Sequence, residues 1–249
     1  MTASIAIVVM LLVLVAGAVP ARDLASPAGP SRAPAAAANP SAVARYEAVR
    51  RRGAPVAVLE RRVALRAAPR RGSRALARIG RRTEFDSPRV LAVTRRSGHW
   101  LRVIATELPN GQRAWVPLAA VRVMANPWRV TADVSSRTVS VYRRDRLMRR
   151  FDVAVGGPST PTPTGRFAVT DKIRLDSHPA YGCCALALSG HQTRIAPGWS
   201  GGDRLAIHGT QLVGTIGSAA SHGCLRARDE DARFLIRRVW LGTVVTIRD

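Results

Sequence analysis

Aromatic side chains are scarce in this chain: Phe, Trp and Tyr together make up 5% of 249 residues. Any core must therefore be packed from aliphatic side chains, and the 47% apolar content supplies them. That content also excludes a wholly disordered chain. Lysine is almost missing, with Lys172 the single one, so nearly all the positive charge is guanidinium. Acids are few, 16 against 39 Arg and Lys, and the formal net charge is +23. Such a chain is drawn to polyanions: nucleic acid, anionic lipid or anionic cell-wall polymers. The excess is uneven, +15 over residues 1–125 and +8 over residues 126–249. Basic residues are not interleaved with aromatics, which argues against specific nucleic-acid binding. Contact with nucleic acid would then be salt-sensitive and indifferent to sequence.

Cysteine is also rare. Three residues, Cys183, Cys184 and Cys224, cannot form a disulfide framework, and an odd count leaves at least one thiol unpaired. The long apolar run Ile5–Val19 has the length of a signal-peptide core and is short for a membrane span. No Lys or Arg precedes it, but small residues follow at Val19-Pro20-Ala21. Export to the cell envelope is expected, with residues 1–21 acting as a cleaved signal or a retained anchor. No cysteine follows the run closely, which excludes lipid attachment there.

Residues 22–53 are rich in Ala, Pro, Ser and Arg and read as a disordered linker. Only AVARYEAVRRR, at 42–52, has the makings of a short basic helix. From residue 54 to 123 the pattern changes to short alternating strands. Asn110-Gly111 between two apolar runs is a hairpin signal. Residues 127–249 form a second β-rich unit with strands at WRVTADVS, RTVSVYRR, RLMRRFDVAVG, GRFAVTDKIR, RLAIHG and TVVTIRD. Residues 175–203 look like a loop, and GGPSTPTPTG is another. RDEDARFLIRRV is the clearest helix, with acids in its first turn and arginines in its last.

The chemistry concentrates in Ile207-His208-Gly209-Thr210 and Ser221-His222-Gly223-Cys224-Leu225-Arg226. A cysteine becomes a nucleophile as a thiolate. Cys224 lies just before the acid-capped helix, so the helix dipole and a nearby imidazole are expected to lower its pKa. His208 and His222 both lie near it in sequence. Gly223 leaves room for a carbonyl to approach backbone amides, as an oxyanion hole requires. A zinc site is the competing reading, but His-Gly-Cys is poor zinc spacing, so no metal and no other cofactor is expected.

HGT followed by SHGCLR, with Cys224 sixteen positions after His208, resembles the active-site signature of the L,D-transpeptidase (YkuD-like) catalytic domain family. The TPTPTG loop is similar to that family's TPxG element. The resemblance covers residues 127–249 and implies a β-sandwich-like catalytic domain with one or two helices. It implies Cys224 as nucleophile and His208 as base, with Gly209 orienting the base. His222 would line the site, and Gly223 would supply an oxyanion donor. Arg226, Ser221, Thr210 and Tyr181 are the expected substrate contacts, Tyr181 from a lid that also holds His178, Cys183, Cys184 and His191. Trp199 could pack beneath that lid. The implied substrates are peptidoglycan stem peptides, joined 3→3 with release of D-Ala, or trimmed if water is the acceptor. A non-catalytic wall-binding protein is the alternative of another class. Trp100-Leu101-Arg102-Val103 and Ala114-Trp115-Val116 resemble strands of bacterial SH3-like domains, which implies a small barrel over 54–123. Overall a mainly β protein is expected, its basic N-terminal half available to anionic wall polymers.

Overall fold

The computed structural model describes residues 41–198 and 200–249. The run Ile5–Val19, the linker up to residue 40 and Trp199 lie outside the described residues.

The segment read as linker to residue 53 ends earlier than expected. Helix α1 spans Ala42–Arg52, and the Ser41 hydroxyl caps it by accepting from the Ala44 amide at 3.2 Å. Arg50, Arg51 and Arg52 fill its last turn, where the helix dipole favours cations. An eleven-residue helix is marginal alone, so tertiary contacts decide its fate. Tyr46 is buried in the adjacent core, and Glu47 accepts from Arg96 Nη2 at 3.0 Å.

Seven strands follow: β1 (Ala54–Leu59), β2 (Val63–Arg66), β3 (Ala75–Ile79), β4 (Val90–Ser97), β5 (Trp100–Val103), β6 (Ala114–Pro117) and β7 (Val121–Asn126). They form one antiparallel sheet in the order β3-β2-β6-β5-β4-β1-β7. Gly111, at φ 82°, takes part in the turn from β5 to β6, as Asn110-Gly111 predicts. Leu65, Leu101, Val103 and Val116 are fully buried, the aliphatic core that scarce aromatics require.

The C-terminal half contains β8 (Trp128–Asp133), β9 (Thr138–Arg143), β10 (Arg146–Asp152), β11 (Val155–Gly156), β12 (Gly165–His178), β13 (Gly182–His191), β14 (Arg204–His208), β15 (Ala219–Ser221), β16 (Leu225–Arg226) and β17 (Val244–Arg248). Eight of these make a mixed sheet in the order β10-β9-β8-β17-β12-β13-β14-β16, and β11 pairs β15 in parallel. Strand β8 alternates as expected, with Trp128, Val130 and Ala132 inward. Helix α2 (Asp229–Arg238) carries Asp229, Glu230 and Asp231 in its first turn and packs on β13 through a face that buries Ala232 and Leu235. The fold is mainly β, as the sequence indicates.

One segment departs from expectation. Much of residues 175–203 is strand, because β12 continues to His178 and β13 runs to His191. Strand β13 is buried along almost its whole length, so its Cys-Cys-Ala-Leu-Ala-Leu-Ser-Gly run lacks the alternation that marks a half-exposed strand. Its residues are small because neighbours close on it: a Cβ at Gly190 would sit 2.6 Å from the Phe167 ring.

The two halves share a polar seam. Asn126 Nδ2 donates to Thr243 Oγ1 at 3.0 Å, and Arg113 Nη2 donates to the Arg166 carbonyl at 2.9 Å. The Asp171 carboxylate is fully buried there, bonded to Thr83 Oγ1, with Arg204 Nη2 3.9 Å from its other oxygen. Arg204 also donates to Thr170 Oγ1 and the Leu188 carbonyl, both at 2.8 Å, and pairs with Glu84. Removing the cation from a buried pair leaves an uncompensated charge. Arg204→Met is therefore expected to destabilise the protein by about 3–5 kcal/mol. Urea unfolding would show this as a lower midpoint at unchanged slope.

Candidate active site

Strands β14 and β16 lie side by side in parallel, with Ile207 opposite Leu225 and His208 opposite Arg226. This register delivers His208 from the end of one strand and Cys224 from the turn before the other. Both line one cleft, together with Tyr181, Gln192, Arg204, His222 and Arg226.

The turn at 221–224 is held internally. Ser221 Oγ donates to the Cys224 carbonyl at 2.6 Å and accepts from the Gly223 amide at 3.0 Å. Gly223 sits at φ +117°, and a Cβ there would stand 2.0 Å from Gln192 Nε2. Glycine is thus required twice over, by backbone and by space. Two sequence expectations change here. Ser221 faces the cleft, but its proton is committed to the turn, so it shapes the loop instead of holding substrate. The Gly223 amide is likewise already bonded and is not a free oxyanion donor.

His208 is buried, and its Nδ1 donates to the Gly209 carbonyl at 2.6 Å. That bond puts the imidazole proton on Nδ1 and leaves Nε2 as the lone-pair nitrogen. Burial lowers its pKa to about 4; the bond to Gly209 opposes this, and the Arg226 charge adds to it. The Gly209 carbonyl therefore fixes the orientation of the His208 ring. The Gly209 amide donates to the Cys184 carbonyl at 3.0 Å, and a Cβ on Gly209 would meet Asp229 Oδ1 at 2.1 Å.

Cys224 keeps part of its surface open, but protein crowds the sulfur. Burial pushes the thiol up, against lowering by the Ala206 amide and Arg226. The net shift runs opposite to the acidification expected of this thiol. At the start of α2 the Asp229 side chain accepts from the Cys183 amide at 3.1 Å. The Cys224 thiol donates instead to the Arg204 carbonyl at 3.6 Å. At rest the cleft holds a neutral thiol and a neutral imidazole.

Tyr181 packs edge-on against His208 with ring centroids 4.9 Å apart, and His178 stacks at 5.1 Å on Tyr181. Burial raises the Tyr181 hydroxyl, with the neighbouring Cys224 adding to the effect. Thr210 is not in the cleft; it is buried and its Oγ1 accepts from the Leu212 amide at 3.1 Å, fixing the chain after His208. Cys183 and Cys184 are bonded to each other, which leaves Cys224 as the free thiol among the described residues. His191 stands apart from the cleft, with Nδ1 2.9 Å from Asp203 Oδ2. No metal-binding cluster occurs among the described residues.

Two positioning residues had no signal in the sequence. Asp229 looks like an ordinary helix-start acid, yet it fills the space beside Gly182 and Gly209. Gln192 sits in an unremarkable His-Gln-Thr segment, yet its side chain joins two loops of the cleft.

The fold and cleft define a class: a mixed-sheet domain that presents a free thiol beside a buried, backbone-oriented imidazole. Residues 127–247 match the model of the YkuD family, described as the L,D-transpeptidase catalytic domain. The C-terminal half of the chain is thus similar to that family's catalytic domain. YkuD of Bacillus licheniformis is 33% identical over 121 residues, 49% of this chain and 66% of that protein. YkuD of Bacillus subtilis is 31% identical over the same length. The chain thus spans just under two thirds of these relatives. An L,D-transpeptidase structure from Mycobacterium smegmatis aligns over 61% of this chain and 69% of that one, at 19% identity and a TM-score of 0.38.

The depressed His208 pKa has a thermodynamic consequence. Above the unfolded value of 6.5 both states hold a neutral imidazole, and burial carries no proton penalty. As pH falls from 6.5 toward about 4 the unfolded chain takes a proton and the folded one does not. Stability contributed by neutral burial is lost across that window, about 3 kcal/mol in all. Urea unfolding at both ends of the window, on parent and His208→Asn, should give a parent loss larger by about that amount. Equal losses in the two proteins would defeat this account.

Proposed function

We propose that this protein is an exported peptidoglycan L,D-transpeptidase that works by cysteine acyl transfer. The observation that carries it is the His208 Nδ1 bond to the Gly209 carbonyl, which leaves Nε2 unprotonated in the cleft that Cys224 shares. Because both groups are neutral at rest, the thiol proton passes to Nε2 as sulfur bonds the carbonyl carbon of the third stem residue. The Cys224 amide is the backbone donor left to meet the oxyanion. Collapse breaks the amide bond to D-Ala, whose nitrogen takes the proton from His208, and a thioester remains. The side-chain amine of a second stem's diamino acid then attacks the thioester, forming the 3→3 amide and restoring the thiol. Water in place of that amine would give a carboxypeptidase. No metal or organic cofactor enters these steps.

Arg226 lines the cleft, where its charge suits stem carboxylates. Tyr181, packed on His208, is placed to contact the bound stem. The basic N-terminal half, with its seven-stranded sheet, would hold the enzyme against anionic wall polymers.

The test uses the full chain with tetrapeptide-stem muropeptides, followed by product mass beside Cys224→Ala. Loss of D-Ala with dimer formation, abolished by the substitution, is the expected result. Loss of D-Ala without dimers would leave the acyl-enzyme chemistry and replace the acceptor by water. Binding to sacculi with no turnover would favour a non-catalytic wall-binding protein. The pH dependence follows from the neutral pair. Turnover should hold through the ordinary imidazole range and fall as pH drops through about 4, where His208 gains its proton. An acid limb near the unperturbed histidine value would show that His208 is not buried as described.

A further inference from the structure

Gln192 bridges the two loops that frame the proposed nucleophile. Its Nε2 donates to the His222 carbonyl at 2.9 Å on one side, and to the Pro161 and Thr160 carbonyls at 3.1 and 3.3 Å on the other. Its Oε1 accepts from the Arg194 amide at 3.0 Å, which fixes the orientation of the side-chain amide. The same amide group occupies the space that a Cβ on Gly223 would need. The 222–224 turn is therefore pressed against Gln192 as well as bonded to it.

The residue before it is gripped from the other half of the molecule. Asn110 makes a two-way pair with the His191 backbone: Nδ2 donates to the carbonyl at 2.6 Å and Oδ1 accepts from the amide at 2.9 Å. His191 Nε2 donates to the Thr106 carbonyl at 2.6 Å, and the Gln192 amide donates to the Asp203 carbonyl at 2.6 Å. Thr106 and Asn110 both lie in the loop that joins β5 to β6 of the N-terminal sheet. A continuous line of bonds thus leads from that sheet, through His191 and Gln192, to the backbone beside Cys224.

We propose that Gln192 is a positioning residue for the acyl-transfer step, and that the N-terminal sheet sets its place through Asn110. The inference rests on Cys224 as the nucleophile. Gln192 touches no reacting atom in this scheme. It holds the backbone from which the Cys224 amide meets the oxyanion, so its loss should slow attack on a carbonyl far more than simple alkylation of sulfur. Alkylation develops no oxyanion and needs no such donor.

The experiment compares full-length parent, Gln192→Met, Asn110→Ala, their double variant and Cys224→Ala. Each is assayed for turnover of tetrapeptide stems and for alkylation of Cys224 by a neutral haloacetamide. Gln192→Met keeps the side-chain length and removes the donors. It should lower kcat by about 10- to 100-fold with a smaller change in KM, while its alkylation rate stays within about threefold of the parent. Asn110→Ala should slow turnover by about 3- to 10-fold, and the double variant should be no more than about twofold slower than Gln192→Met. Parent-like turnover in Gln192→Met overturns the proposal. So does loss of turnover and alkylation together, which marks a general structural role, or effects of the two substitutions that simply multiply. If Gln192→Met does not fold, Asn110→Ala decides alone, and parent-like kcat in it overturns the proposal. Turnover that survives Cys224→Ala defeats the underlying assignment of the nucleophile, a result distinct from all of these.

Discussion

Dehydration of one imidazole is the constraint around which the C-terminal half is built. Burial keeps this histidine neutral, but its N–H is costly to bury without a partner, and the Gly209 carbonyl is that partner. Bringing the carbonyl into place requires a chain that can fold back tightly. Gly209 and Gly182 admit the Asp229 side chain where any Cβ would collide with it. The first acid of α2 thereby locks the start of β13 against the end of β14. Helix, hairpin and imidazole orientation are one packing problem with one solution.

The same dryness settles the character of the thiol. In a chain with a net charge of +23, a cation beside Cys224 would seem the obvious way to create a thiolate. Arg226 does pull in that direction, but desolvation outweighs it. Under the acyl-transfer reading proposed above, such a site would move a proton during attack and not store a charge beforehand. Electrostatics of the whole chain and electrostatics of the cleft are separate matters, divided by burial.

Much of this was legible in the residues. Spacing within HGT and SHGCLR pointed to His208 and Cys224, which line one cleft, and the acid-to-base polarity of DEDARFLIRR located α2. Alternation revealed β8 and β9 because each shows one face to the core and one to solvent. Strand β13 was hidden for the converse reason: buried on nearly every residue, it has no period to detect. Helix α1 was underrated because eleven residues are marginal alone and its stability comes from Tyr46 and Glu47, whose partners lie far along the chain. Ser221 was assigned to substrate and Gly223 to the oxyanion because a sequence cannot reveal that they bond each other. Gln192 gave no signal at all, since three distant carbonyls define its role and none is visible from a single glutamine.

The place of β17 has a consequence for how the chain is made. It lies between β8 and β12, in register with both, yet is synthesised more than a hundred residues after β8. During synthesis β8 and β12 each wait with an open edge, and the sheet cannot be completed piecemeal from its N-terminal side. Long-range pairing of this kind is slow to form and leaves strand edges exposed meanwhile. A nascent chain in that state keeps open edges that other strands could pair with until Val244–Arg248 arrive and the sheet shuts.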